Sequence, residues 1–182
     1  MSDEHDHGLV KRTLRGERAA FGQLVERYQT AVYTVAYNVL GNAADAEDAA
    51  QMAFLKAYEQ LASFNDDYKF FSWLYRIAVN ESINAKKKKR PMSGLDHVEA
   101  VAEGKADQLT EENELEDRVG DALMQLSATD RAIIILRHYQ DFSYPDIAYI
   151  LDITEQKVKS RLYTARQRLR GIFEQRGISI GA

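Results

Sequence analysis

The chain has 182 residues, 24 Lys+Arg against 28 Asp+Glu, no cysteine and a net charge of −4. The missing cysteines exclude disulfides, thiol nucleophiles and cysteine-ligated metals, and no apolar run approaches the roughly 18–20 residues of a membrane span. Net acidity argues at first against nucleic acid, whose binding domains are usually basic, but the charge is uneven. Residues 1–90 carry 13 basic and 12 acidic groups, residues 91–130 carry 2 and 11, and residues 131–182 carry 9 and 5. A central block of −9 therefore separates ends of +1 and +4.

The length allows one domain or two small ones. Two prolines, Pro91 and Pro145, among dense helix formers predict an all-α protein. The segment Met1 to His7 is acidic and lacks the apolar stretch of a signal peptide, so it is expected to be a disordered tail. Phe21, Leu24, Val25, Tyr28, Val32, Val35 and Val39 recur at steps of three, four and seven, one face of a helix. Gly41-Asn42 suits its end, and Asp45 is expected to cap a second helix carrying Ala50, Phe54, Ala57, Tyr58 and Leu61.

A polar break at 63–67 precedes a third predicted helix from near Lys69 to Lys88, with Phe70, Leu74, Ile77, Ala78 and Ile83 inward. Trp73, Tyr75 and Arg76 are expected to project elsewhere. Six of the chain's 18 aromatic residues fall in the twelve positions 64–75. That density allows a thick core with an exposed aromatic edge, or a surface on which unpaired bases stack. Asn80, one to two turns on, carries an amide that can pair with a base edge, and the run Lys86 to Arg90 suits phosphate.

Residues 91–114 lack periodicity and read as an acidic linker. Helical patterning resumes at Leu115, and Ser127 with Asp130 predicts another capped start. The most specific pattern is Phe142 to Leu162. Ser143 caps a short helix begun by Pro145, with Ile147, Ala148 and Leu151 inward. Asp152 takes the turn, Thr154 caps the next helix, and Val158, Leu162, Ala165 and Leu169 form its buried stripe. The opposite face presents Gln156, Lys157, Lys159, Ser160, Arg161, Thr164, Arg166 and Arg168, types that pair with base edges and phosphates in a helix-turn-helix. An amphipathic helix with a solvated basic face is the competing reading.

Three segments, Ala46 to Tyr58, Phe71 to Asn80 and Ser143 to Leu169, together resemble the extracytoplasmic-function (group IV) sigma factors of the sigma-70 family, over nearly the whole chain. The resemblance implies two small helical domains, 1–90 and 115–182, joined by the linker 91–114. It implies a bacterial, cytoplasmic transcription initiation factor that directs core RNA polymerase to promoters and helps open the −10 element. Asp48, Gln51, Phe54, Leu55, Lys56 and Tyr58 would then dock on core polymerase. Phe64, Tyr68, Lys69, Trp73, Tyr75, Arg76 and Asn80 would melt and read single-stranded −10 DNA. Thr154, Gln156, Lys157, Lys159, Ser160, Arg161, Thr164 and Arg166 would read the −35 duplex. An anti-sigma factor is an implied partner, and the acidic linker would imitate nucleic acid in the polymerase's basic channels. Asp146, Asp152, Gln156-Lys157 and Ser127 depart from the commoner Glu, Gly, Gly-Thr and Pro.

The alternative is a free-standing dimeric helix-turn-helix regulator, which would footprint a palindrome without polymerase. No cofactor and no catalysis are expected, since His5 and His7 around Asp6 have no visible supporting ligands and no phosphate-cradling glycine loop occurs.

Overall fold

The computed structural model describes residues 2–89 and 111–177, and every regular element among them is helical. The first is α1 (Ser2–Leu14), where the sequence pattern predicted a disordered tail. Its apolar content is too small for a periodic signal, but Leu9 and Val10 are buried. The fully buried Asp6 accepts hydrogen bonds from Arg27 and Tyr28, 21 and 22 residues away. A tertiary ion pair, invisible to local periodicity, orders this segment.

Helix α2 (Arg18–Leu40) buries Phe21, Leu24, Val32, Val35 and Val39 as the spacing predicts, with Val25 and Tyr28 half-buried. It ends at Gly41, whose φ of 72° is left-handed and whose N–H bonds the Tyr37 carbonyl. Met124 packs so closely there that a Cβ would collide with it, so both backbone and space call for glycine. Helix α3 (Ala43–Glu59) is capped by Asn42, one turn before the expected Asp45, whose N–H donates to Asn42 Oδ1 at 3.0 Å. Its buried residues are all alanine (Ala46, Ala49, Ala50, Ala53 and Ala57), which lets α3 pack closely. A 3-10 turn at Leu61–Ser63 and an exposed loop lead to α4 (Phe70–Lys89).

Residues 91–110 of the expected linker lie outside the described residues. The rest of it, from Glu111, is already helical in α5 (Glu111–Met124), because glutamates are good helix formers whose charge suits an N-terminal turn. The caps in the C-terminal half stand where the sequence puts them. Ser127 accepts from the Asp130 N–H ahead of α6 (Ala128–His138). Ser143 and Asp146 form a reciprocal capping box on α7 (Tyr144–Leu151), and Thr154 accepts from the Lys157 N–H ahead of α8 (Glu155–Gln175). Asp152 makes the turn in the left-handed region at φ 55°, which a short polar side chain tolerates.

One continuous apolar cluster runs from α2 and α4 through α6, α7 and α8, so the two helical units pack on each other. The contact uses Phe71 stacked on Phe142 and Tyr75 against the same ring, with centroids at 5.8 and 5.5 Å.

Candidate nucleic-acid interface

Between α3, α4 and the loop joining them lies a cleft of about 410 Å³, lined by Lys56, Gln60, Ser63, Asn65, Tyr68, Trp73, Arg76, Ile77, Asn80, Glu81 and Tyr149. Four expected base-reading residues, Tyr68, Trp73, Arg76 and Asn80, are thereby gathered on one wall. The loop is shaped locally by the Asp67 N–H, which donates to Asn65 Oδ1 at 3.0 Å, and by the Tyr68 N–H, which donates to the Asn65 carbonyl. Helix α1 pins it from below, with His7 Nε2 3.3 Å from the Tyr68 carbonyl, its ring on Phe64, and Lys11 3.5 Å from Asp66. Tyr68 and Lys69 are exposed, and Phe64 is half-buried against Phe70 and Trp73.

Trp73 and Tyr75 do not project away from the core as the spacing predicted. Trp73 is 8% exposed, with one edge in the cleft, and Tyr75 is 0% exposed. The reason is that α4 is covered on two sides, by α2 and α3 and also by the C-terminal unit, so its apolar arc is wider than one stripe. The Tyr75 hydroxyl donates to the Ala31 carbonyl or Gln140 Oε1, each at 3.2 Å, and burial pushes its pKa up to about 12. Tyr75 is thus a neutral strut between the units, and no face of it is open to a base in this arrangement. Asn80 and Arg76 are half-buried and engaged. Asn80 Nδ2 donates to the Ile150 carbonyl at 3.5 Å, and Arg76 pairs with Asp152 at 3.2 Å.

Helix α3 supplies a second surface. Asp48, Gln51, Leu55 and Tyr58 point outward, with Leu55 51% exposed, and Met52, absent from the sequence-based set, joins them at 44%. Met52 precedes Leu55 by three positions, so i, i+3 spacing from Leu55 was the signal that could have found it. Phe54 is half-buried. Lys56 turns the other way and bonds Glu81 of α4 at 2.6 Å, at the cleft rather than beside Leu55.

On α8, Gln156, Lys157, Lys159, Ser160, Thr164 and Arg166 are exposed together on the face opposite Val158, Leu162 and Ala165, as is the cap Thr154. Lys159 lies over the Tyr144 ring, and Arg166 approaches His138 Nε2 at 3.0 Å. Arg161 is half-buried and bonds Asp130 at 3.0 Å, with Arg168 on the same carboxylate at 3.3 Å. Arg161 therefore braces α8 on α6. Tyr163, 67% exposed, stands within the polar face and is absent from the sequence-based set.

Among the described residues no cluster of His, Asp and Glu could hold a metal ion, and no helix is long and apolar enough to cross a membrane.

Comparison with known proteins now gives these surfaces a context. The family profile "Sigma-70 region 2" matches residues 24–91, and "Sigma-70, region 4" matches residues 116–169. The chain is 35% identical over 173 residues to the ECF RNA polymerase sigma factor SigW of Bacillus subtilis, covering 88% of this chain and 92% of that one. It is 37% identical over 174 residues to the ECF RNA polymerase sigma-E factor of Escherichia coli K12, covering 89% and 91%. Among solved structures it resembles CnrH in complex with the cytosolic domain of CnrY, with a TM-score of 0.70 at 26% identity over 94% of this chain and 98% of that one. It also resembles the sigma factor RpoE in complex with the anti-sigma factor NepR from Bartonella quintana, with a TM-score of 0.65 at 27% identity over 85% and 96%. A free-standing regulator does not account for a region 2 match over the α2–α4 unit. The chain belongs to the sigma-70 family and, within it, to the extracytoplasmic-function RNA polymerase sigma factors.

Proposed function

We propose that the work of this sigma factor is divided among its three surfaces. The outward face of α3, with Asp48, Gln51, Met52, Leu55 and Tyr58, holds core RNA polymerase. The cleft with Tyr68, Trp73, Arg76 and Asn80 takes an unpaired base of the −10 element, with Phe64 and Lys69 beside it. Exposed Gln156, Lys157, Lys159, Ser160, Thr164 and Arg166 of α8, with Tyr163, read the −35 duplex. The observation that carries this reading is one chain holding both a polar-aromatic cleft sized for a base and a capped basic recognition helix. The protein is a binding factor rather than an enzyme, and it acts with polymerase in the bacterial cytoplasm. The partners seen with CnrH and RpoE support an anti-sigma factor for this chain as well.

Run-off transcription with purified core enzyme tests the reading, and Tyr68→Ala is the informative variant because that ring is exposed. Loss of one base–aromatic stack is worth ~1–3 kcal/mol, so open-complex formation should fall about 5–150-fold while polymerase binding is kept. Unchanged opening would remove Tyr68 and the cleft from the mechanism.

Leu55→Glu should weaken core binding by at least ~2 kcal/mol, or about 30-fold, as expected for a central apolar anchor. A fluorescence titration of labelled sigma with core enzyme measures this. Equal affinity for the variant would place docking elsewhere on the chain.

Salt should also discriminate. Each phosphate held by α8 contributes about −0.9 to the slope of log affinity against log salt for duplex −35 DNA bound with core. Lys157→Ala should reduce that slope by about one. A slope unchanged in Lys157→Ala and Lys159→Ala alike would mean these ammonium groups face solvent only.

A further inference from the structure

We propose that His138 of α6 belongs to the duplex-binding surface of this chain and takes up a proton when a DNA phosphate settles against Arg166. This rests on α8 being the duplex-reading helix, and it adds to that helix a group from a neighbouring one.

His138 is exposed at the last position of α6, and Arg166 is exposed beside it on α8. Arg166 Nε and Nη2 stand 3.2 and 3.0 Å from His138 Nε2. A guanidinium has only donors, so the ring nitrogen must accept, and the imidazole is neutral with its proton on Nδ1. Nε–H and Nη2–H also form one of the parallel pairs with which an arginine grips a phosphate or a guanine. In the free chain that pair is turned onto the ring instead.

Further cations gather here from both helices. Lys159, two turns before Arg166 on the same flank of α8, lies 5.7 Å from the centre of the Tyr144 ring, and Arg137 of α6 lies 5.7 Å from the same ring of α7. Asp141, the acid of the turn after α6, is held by Arg137 at 2.9 Å. The charged groups that act on His138 are Arg166 from α8 and its own neighbour Arg137. Burial first, and then these two cations, hold the imidazole below its usual pKa. The partial negative charge at the end of α6 works the other way and favours a cation there.

An incoming phosphate reverses the balance. Its charge offsets the two guanidinium groups and favours the imidazolium. Protonation removes the acceptor at Nε2, which releases Nε–H and Nη2–H of Arg166 to the phosphate and places a third donor, Nε2–H, beside them. Both effects have the same sign. The His138 pKa is higher in the complex than in the free chain, so by reciprocity duplex affinity rises as pH falls through the complex value and levels off below the free value.

Proton NMR of the full-length protein reads the ring directly. The chain has four histidines, and the His138 Hε1 signal is the one missing from His138→Gln. Its titration midpoint should rise by about one pH unit when a 16-bp duplex of random sequence is added at low salt, the size expected for one opposite charge at contact. In Arg166→Gln the midpoint of the free chain should already be higher, and the duplex should move it less. With core enzyme, wild-type affinity for the same duplex, labelled with fluorescein, should rise about 3–10-fold more than that of His138→Gln between pH 8 and pH 6, one unit of pKa being tenfold in affinity. A midpoint unmoved by duplex, or a wild-type pH profile matching that of His138→Gln, would overturn the role of His138. The assignment of α8 to duplex fails separately, through a salt slope unchanged in Lys157→Ala and Lys159→Ala alike.

Discussion

Replacing Arg131 with Met should lower the stability of the protein by about 3–5 kcal/mol, seen as a fall in melting temperature of roughly 6–20 °C for a chain of this size. Arg131 is among the largest fully buried side chains. Its guanidinium donates to the carbonyls of Leu123, Met124 and Leu126 and, across the unit boundary, to that of Val39. Val39 is in the last turn of α2, and Leu123 and Met124 end α5, so these are carbonyls that a helix terminus leaves without an internal partner. One planar group with five donors thus closes two helix ends and places a cation at their negative poles. Burial pulls its pKa down to about 10, still far above neutrality, so it remains charged. Methionine fills the space and restores none of the four bonds. Lysine restores some, and should recover part of the loss. Thermal unfolding followed by circular dichroism decides the matter. A methionine variant melting within 2 °C of wild type would show that water replaces the guanidinium at no cost.

Arg131 also shows where sequence reading stops. Nothing local distinguishes it from the half-buried Arg137 of the same helix, because its partners lie 5 to 8 residues away and, for Val39, 92 residues away. The caps at Ser127, Ser143 and Thr154 were legible because each closes a bond three residues long, and such bonds form whatever the tertiary fold. The left-handed Asp152 was legible for the same reason. Helix α1 was illegible because its order depends on Asp6 finding Arg27 and Tyr28. The cleft was half legible. The aromatic density at 64–75 marked a segment that lines it, and Tyr68, Arg76 and Asn80 do meet there. Periodicity alone assigned Trp73 and Tyr75 to the surface, since it assumes a helix buried on one side, whereas α4 is covered on two. That burial changes how the segment should be probed. Trp73→Ala would empty a packed site at about 3–5 kcal/mol and confuse folding with base capture, whereas Tyr68→Ala does not.

Asp6→Ala is expected to have the second large effect, and its reach extends to the cleft. Asp6 is fully buried and bridges Arg27 and the Tyr28 hydroxyl, so truncation strands a partly buried guanidinium and should cost about 3–5 kcal/mol. The loss should be regional. Helix α1 would detach, and with it the contacts of His7 on the Tyr68 carbonyl and Phe64 and of Lys11 on Asp66. The Tyr28 ring, stacked on Phe71 at 5.3 Å and tilted against Phe70 at 5.9 Å, would lose its fixed hydroxyl. Amide hydrogen exchange should then quicken in 2–14 and 64–69 while α6 to α8 keep their protection. Asp6→Asn retains an acceptor for Tyr28 and should fall between the two. In transcription assays the alanine variant should open promoters poorly while its C-terminal unit still binds −35 duplex in the polymerase complex. If exchange quickens only in 2–14 and opening is untouched, α1 covers the core without setting the loop. Loss of protection in both segments together would identify the buried carboxylate as the anchor of the 64–69 loop beside the cleft.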